Sequence, residues 1–472
     1  MGQTKPEYLQ PYTSAAPSHY LRHKNGWPHF ITFVLSFSSD DAPSMPFLRK
    51  RLEDMQVRYP DTRLSLVERP RPESHTLYWS PVSWHQQDDA WPINHILQEL
   101  DSAPASSLDA YRIAIHLAEQ RSLVDCPLFV VHRLVGPRQT FICLSVSHTL
   151  TDGIGASNML RAIIEPELEQ FSDESQKGFF NGNLGKPPQV APLKPYEPFK
   201  PDIKGENRDD LAKKDAPIWP ASADDFKIHP SSDLPSQFVD VHFSADTIKS
   251  LSTKAKSVQI ATLNTVFLST FVMAVIEVMG IKDRRLQSVV PVSFRKKAEN
   301  PLFFGSFTTA LDIITHCTPK TSTWSFIREF SVPANKQVAE AIEARQKPKV
   351  DDDRKTKSPV FDAESAMQRD LDRLKSDAAY MDSIVWSNLA RLSWLDNVHG
   401  CNDVLWGQST AMFFAPICMS VVGWKGGMRS VCGFKEGSGF TSEQVATIIA
   451  RWEEIVQEAV DADVKGDVLD VP

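Results

Sequence analysis

The apolar positions of this chain fall into short runs whose period switches repeatedly between that of strands and that of helices. Residues 27–38 (WPHFITFVLSFS) form a nearly continuous apolar run and read as a buried strand, whereas residues 46–59 (PFLRKRLEDMQVRY) repeat at helical spacing behind an initial proline. Short strands are expected near Thr76–Trp79 and Tyr111–Leu117. Two further apolar runs, Leu128–Leu134 and Thr140–Ser147, flank Gly136-Pro137-Arg138, which predicts neighbouring antiparallel strands joined by a tight turn. Beyond Asp152-Gly153, Met159, Leu160, Ile163 and Ile164 recur at helical spacing and predict a helix over about 154–164.

From about Ser172 to Gln237 periodicity is lost and Pro, Lys, Asp and Ser dominate, the composition of a surface crossover or linker. Pattern returns with a strand at Phe238–Phe243, helices over about 246–257 and 261–279, and strands at Gln287–Ser293 and near Phe307–Ile314. Helices are expected near 323–346 and 362–380, then strands near Ser383–Leu389, Ala411–Val422 and Met428–Phe434, and a closing amphipathic helix at Ser442–Val460. Runs of strands and helices in both halves predict an α+β class rather than a strict βαβ repeat.

Length sharpens this picture: 472 residues imply two globular units or one large pseudo-duplicated one. A net charge of −8 with no basic stripe argues against nucleic acid as a partner. The six cysteines are scattered through apolar surroundings and never form a C-x-x-C pair, so they read as reduced core thiols, with a cytoplasmic location as the expectation. The first twenty residues carry no apolar signal core, and Pro6 stands where a myristoylation motif needs Ser or Thr. The longest apolar stretch, Val266–Met279, is too short to span a bilayer and contains Glu277, so no membrane association is expected.

The segment carrying candidate chemistry is Ser145-Val146-Ser147-His148-Thr149-Leu150-Thr151-Asp152-Gly153, which contains H-x-x-x-D-G. H-x-x-x-D alone says little, since it also occurs at His85/Asp89, His229/Asp233, His242/Asp246 and His399/Asp403. Context separates them. Only Asp152 precedes a glycine, and only His148 ends a long buried strand that leads into a helix. A strand end can present an imidazole to a cleft, as general-base work requires. Gly153 would permit a sharp turn, and Asp152 can cap the amides of the helix that follows. The residues alone leave two readings of His148 open, a general base and a satisfied core histidine. No metal-ligand cluster with closed spacing is visible in the sequence.

Several further segments occur in an ordered series with this motif. Asp125-Cys126-Pro127-Leu128-Phe129-Val130 precedes it; Pro291-Val292-Ser293-Phe294-Arg295, Phe304-Gly305-Ser306-Phe307, Ser387-Asn388-Leu389 and Asp403-Val404-Leu405-Trp406-Gly407 follow it. In this series the chain resembles the superfamily of the plant BAHD enzymes and the peptide-synthetase condensation domains. Two of the five positions in 403–407 differ from the plant motif, so the likeness is to fungal acetyltransferases of secondary metabolism.

The resemblance implies two chloramphenicol-acetyltransferase-like mixed-sheet halves with a central tunnel, an N-terminal half over 1–171 and a C-terminal half over 238–472, joined by the crossover at 172–237. It implies that His148 is the catalytic base and that Asp152 pairs with Arg295 to hold the loop, with Asp152, Gly153 and Arg295 structural at the active site. It implies an acyl-CoA co-substrate with no permanently bound cofactor or metal, a small-molecule hydroxyl or amine as acceptor, and a monomer. Donation from a carrier protein, or a catalytically silent module of the same fold, are the alternatives.

Overall fold

A computed structural model describes residues 15–69, 81–165, 217–220, 223–260, 262–293, 308–317, 322–346, 363–377, 379–410 and 414–463. The strand expected near Thr76–Trp79, most of the crossover at 172–237, Phe304-Gly305-Ser306-Phe307, and Arg295 with its neighbour Phe294 lie outside these residues.

The described strands, in chain order, are β1 (Phe30–Ser38), β2 (Leu64–Glu68), β3 (Val82–Gln86), β4 (Leu97–Leu100), β5 (Phe129–Val135), β6 (Gln139–Ser147), β7 (Ser236–Ser244), β8 (Arg285–Ser293), β9 (Thr308–His316), β10 (Ile384–Arg391), β11 (Cys401–Gln408), β12 (Ile417–Trp424) and β13 (Gly427–Lys435). They form two large mixed sheets and a small hairpin of β2 and β3. The first sheet has the order β11-β1-β6-β5-β4 and the second β7-β13-β12-β10-β8-β9. Each contains both parallel and antiparallel pairs: β4 runs parallel to β5, and β10 runs parallel to both β8 and β12, while the other neighbours are antiparallel. The expected α+β class with two mixed sheets is what the chain adopts.

Most predicted elements stand close to their expected positions. The helix Met45–Arg58 starts behind Ser44, whose hydroxyl accepts from the Phe47 amide, with a proline in its first turn. The closing helix Ser442–Asp461 opens with a reciprocal capping box between Thr441 and Gln444. Its Trp452 is fully buried among Phe243, Phe267, Phe271 and Trp386, with edge-to-face ring contacts to each and its indole N–H donated to the Thr270 hydroxyl at 2.9 Å. This cluster anchors the core of the second sheet.

Tyr111–Leu117 is a correction, because it lies inside a helix, Ser107–Glu119. The run reads as strand within its own window, but Ser106 accepts from the Asp109 amide as an N-cap, and Ala110, Tyr111, Ala114, Ile115 and Ala118 make one buried stripe at spacings of three and four. Two boundaries also move: the helix expected over 362–380 stops at Leu374, and the strand expected at Ala411–Val422 is Ile417–Trp424. The helix Ala15–Lys24 and the strand β11 carry no periodic signal strong enough to predict them.

β11 is the element with the longest reach. It lies between strands of the second sheet in sequence, yet it pairs with β1 at the edge of the first, Ile31 opposite Gln408 and Val34 opposite Leu405. The helix Ser107–Glu119 packs across β1, β6 and β11 together, and Tyr111 donates its hydroxyl to the Gln408 carbonyl at 2.9 Å. Asp403 accepts from Ser107 at 2.6 Å and pairs with Arg429 of β13, which also lies 3.5 Å from Asp240 of β7. One carboxylate thus ties a helix of the first half to a strand of the second sheet. At Gly407 a side chain would have no room, since a Cβ would sit 2.6 Å from the Tyr111 hydroxyl. Gly407→Ala is therefore expected to destabilise the fold by about 1–3 kcal/mol through overpacking. A urea titration should show a lower midpoint with unchanged slope, and an unchanged midpoint would contradict the packing described.

Candidate active site

The antiparallel pairing of β1 with both β6 and β11 brings one end of three strands together. β1 begins where the other two end. Phe30 stands opposite Ser147, so the next residues, His29 and His148, are neighbours, and the His148 amide donates to the His29 carbonyl at 2.9 Å. On the other side the Ser409 amide donates to the Phe30 carbonyl at 2.9 Å, which sets Gln408 beside His29. The third histidine of the site, His19, comes from the helix Ala15–Lys24.

The three imidazoles are in contact. His148 stacks on His19 with centroids 4.5 Å apart and planes 21° from parallel, and it meets His29 at 4.4 Å. The Nδ1 atoms of His29 and His19 are 3.0 Å apart, and His29 Nε2 is 3.2 Å from Gln408 Oε1. Because an amide oxygen only accepts, His29 donates from Nε2, and its Nδ1 carries the lone pair that faces His19. All three rings are half-buried. His148 Nδ1 is buried with no well-formed hydrogen bond, which leaves Nε2 as the available nitrogen.

Asp152 accepts from the Gly155 amide at 2.9 Å and so caps the helix Gly153–Ile164 that follows His148. Gly153 begins that helix. Its backbone is not left-handed; a Cβ there would lie 2.8 Å from the tip of the Leu389 side chain of β10, which would have to move, and 3.3 Å from the Trp406 ring of β11. The loop carrying His148 is therefore pressed against strands of both sheets. Arg295, expected as the partner of Asp152, lies outside the described residues. Trp406 is fully buried and packs against Phe33, while Asp403 makes the inter-element bonds given above. Of the other H-x-x-x-D histidines, His242 contacts the Gly426 carbonyl at 3.1 Å and His399 is exposed beside Asp41.

Burial sets the electrostatics. It lowers the His148 pKa below the usual histidine value; the Asp152 carboxylate and a bond to the residue's own backbone oppose that shift, and Arg22 adds to it. His29 and His19 are pushed well below the usual value, first by burial and then by the positive charge their neighbours would carry. Each ring is thus neutral at pH 7, the state in which an imidazole accepts a proton. Sequence reasoning found His148 but not its companions. Gln408 is 379 residues from His29 and is brought to it by strand pairing, while His19, ten residues before His29, joins from the helix Ala15–Lys24.

A cavity of about 720 Å³ lies beside the same N-terminal helix, lined by Tyr20, Leu21, Lys24, Glu68 and Met367 among others, and His148 is not part of its wall. Among the described residues no helix is long and apolar enough to cross a membrane.

No protein-family model matches the chain, and no curated protein sequence does so. Solved structures do. The trichothecene 15-O-acetyltransferase TRI3 from Fusarium sporotrichioides superposes with a TM-score of 0.61 at 11% identity, covering 94% of each chain. The condensation domain of the monacolin K polyketide synthase MokA gives 0.59 at 9% identity over 97% of this chain and 99% of that one. The epimerization domain of the third module of tyrocidine synthetase B gives 0.56 at 9% identity over 98% of each. The chain has the two-lobed, chloramphenicol-acetyltransferase-like fold of these proteins, as its motifs led us to expect.

The neutral state of the trio has a measurable consequence. Groups whose native pKa is depressed below the unfolded value of about 6.5 bind more protons when unfolded, so stability is full above that pH and falls as pH drops through the window beneath it. His29→Gln removes one such group. In chelator-containing buffer its unfolding midpoint should decline less steeply between pH 6.5 and 5 than that of the wild type. Parallel slopes would contradict the buried neutral state of His29.

Proposed function

We propose that the protein is an acyltransferase in which His148 removes a proton from the hydroxyl of a small acceptor as that oxygen attacks an acyl thioester. The observation that carries this reading is the placement of a neutral imidazole at the end of β6, its Nδ1 turned inward, in a loop pressed against strands of both sheets. The fold supports the same class, since TRI3 is a 15-O-acetyltransferase and MokA supplies a condensation domain.

In this reading His148 Nε2 takes the acceptor proton, the acceptor oxygen bonds to the thioester carbonyl carbon, and the carbonyl oxygen becomes an oxyanion. Collapse of that intermediate re-forms the carbonyl, breaks the carbon–sulfur bond and releases the thiolate, to which the imidazolium returns the proton. Asp152 acts through the loop, holding the helix start that follows His148, and its negative charge favours the imidazolium as it forms. We take the donor to be acyl-CoA, entering a passage between the halves, with no resident cofactor, and the protein to act as a cytoplasmic monomer. Donation from a carrier-protein thioester is the alternative, favoured by the likeness to condensation domains.

Thiol release from a panel of acyl-CoA donors with hydroxylated acceptors tests this. His148→Ala should lower kcat/KM by about 10²–10⁴-fold, the usual range for a general base, with an unchanged circular dichroism spectrum. Release at equal rates from the folded variant would remove His148 from the chemistry. Release only from acylated carrier protein would move the donor to the alternative class.

A further inference from the structure

The three histidines have a property that proton transfer at His148 does not use: they gather three imidazole nitrogens in one small space. One ring nitrogen each from His19, His29 and His148 lie within 4.8 Å of one another. Zinc binds imidazole nitrogen at about 2.0–2.1 Å in a tetrahedron, which places its ligand nitrogens roughly 3.4 Å apart. The His19–His29 separation is already 3.0 Å, the widest must close by no more than roughly an ångström and a half for that geometry, and the His19 ring, now stacked on His148, must turn so that both lone pairs face the ion.

We propose that His19, His29 and His148 form a reversible site for a divalent transition ion, best fitted by Zn²⁺, whose occupation takes the His148 lone pair and switches off proton acceptance. The silencing rests on the acyltransferase reading given above; the metal site does not. The donor set selects the ion, because three imidazoles without a carboxylate or thiolate suit zinc, copper, nickel or cobalt and not the oxygen-seeking magnesium or calcium. Three protein ligands also leave a fourth position for water.

The surroundings match what a metal-binding histidine needs. Gln408 accepts the His29 Nε2–H, so Nδ1 is the nitrogen that carries the lone pair, shared with His19 while no ion is bound, and the ring's orientation is fixed from behind. Two ligands sit at neighbouring strand ends bound to each other through the backbone, a rigid pair. The third rides on a helix packed against the helix Ala363–Leu374, an attachment that can shift more readily than a sheet. Two charges act near His148: the Asp152 carboxylate favours a dication there, whereas the Arg22 guanidinium opposes it.

The test titrates chelator-treated, full-length protein with Co²⁺. One equivalent should bind, with the visible absorption of a four-coordinate nitrogen site, and Zn²⁺ should displace it. Paramagnetic shifts of three histidine ring signals in the wild type identify the ligands without any substitution. His19→Gln and His29→Gln should each abolish the absorption, and Gln408→Ala should weaken binding by about 10–100-fold. Thiol release should fall in proportion to Zn²⁺ occupancy and return with EDTA. No saturable spectrum in the folded wild type, or a spectrum kept at full affinity in both histidine variants, overturns the site. Stoichiometric binding without inhibition of a measurable acyl transfer overturns the silencing alone. Binding in a protein that transfers no acyl group leaves the site standing and overturns the catalytic reading.

Discussion

The pairing of β11 with β1 is the constraint on which the rest of this structure depends. A segment that lies in sequence among strands of the second sheet crosses to the first and completes its edge. Because β1 runs antiparallel to both β6 and β11, its first residues meet the last residues of each, and the backbone bonds of His148 to the His29 carbonyl and of Ser409 to the Phe30 carbonyl fix that meeting. Together with the β1–β6 pairing, that of β11 with β1 sets Gln408 and His148 on either side of His29, and His19 joins them from the helix Ala15–Lys24. Gln408 reaches His29 from one side, His148 reaches it from the other, and the neighbouring Trp406 and Leu389 close on Gly153. The core of the first sheet likewise includes Trp394, Val404, Leu405 and Trp406. The two halves are folded into one another rather than merely docked.

Such a junction explains how an imidazole can be set deeply without being locked. A buried base must remain neutral, so its surroundings have to disfavour charge without satisfying the lone pair that does the chemistry. Burial supplies the first condition at His148 and Arg22 adds to it, while the charge His148 would carry in turn disfavours charge on His19 and His29. The Asp152 carboxylate works in the opposite sense and keeps the protonated form within reach. Its oxygen is already engaged by the helix amide at Gly155, so it stabilises charge from the end of a cap.

Much of this was legible in the sequence, and the parts that were not share a cause. β1, β6 and the helix after Asp152 carry their signal within a dozen residues, so period and caps reveal them, and His148 is found because it ends one such element. Tyr111–Leu117 misleads because its own window alternates, while the decisive signals, the Ser106 cap and the stripe extending from Ala110 to Ala118, lie partly beyond it. β11 hides for a different reason. Its sequence, CNDVLWGQ, is broken by polar residues, of which Asp403 pairs with Ser107 and with Arg429, partners 296 and 26 residues away. His19 and His29 were unremarkable in the sequence because what distinguishes them is contact with His148 across the fold. Gly153 stands out in the sequence as a turn residue, whereas in the fold its backbone is not left-handed and its bare Cα faces Leu389 and Trp406, neighbours that lie more than 230 residues away.

The central claim is that His148 is the proton acceptor and that its setting keeps it neutral. The pH dependence of kcat/KM for thiol release, measured in the presence of chelator with acyl-CoA and a responsive acceptor, tests it most directly, because this parameter reports ionisations of the free enzyme. The account predicts a single acidic limb with an apparent pKa below 6.5 and a flat profile from neutrality into mild alkali. A rate that rises in proportion to hydroxide through neutral pH, with no acidic limb, would mean that no side chain of the protein takes the proton and would contradict the role given to His148.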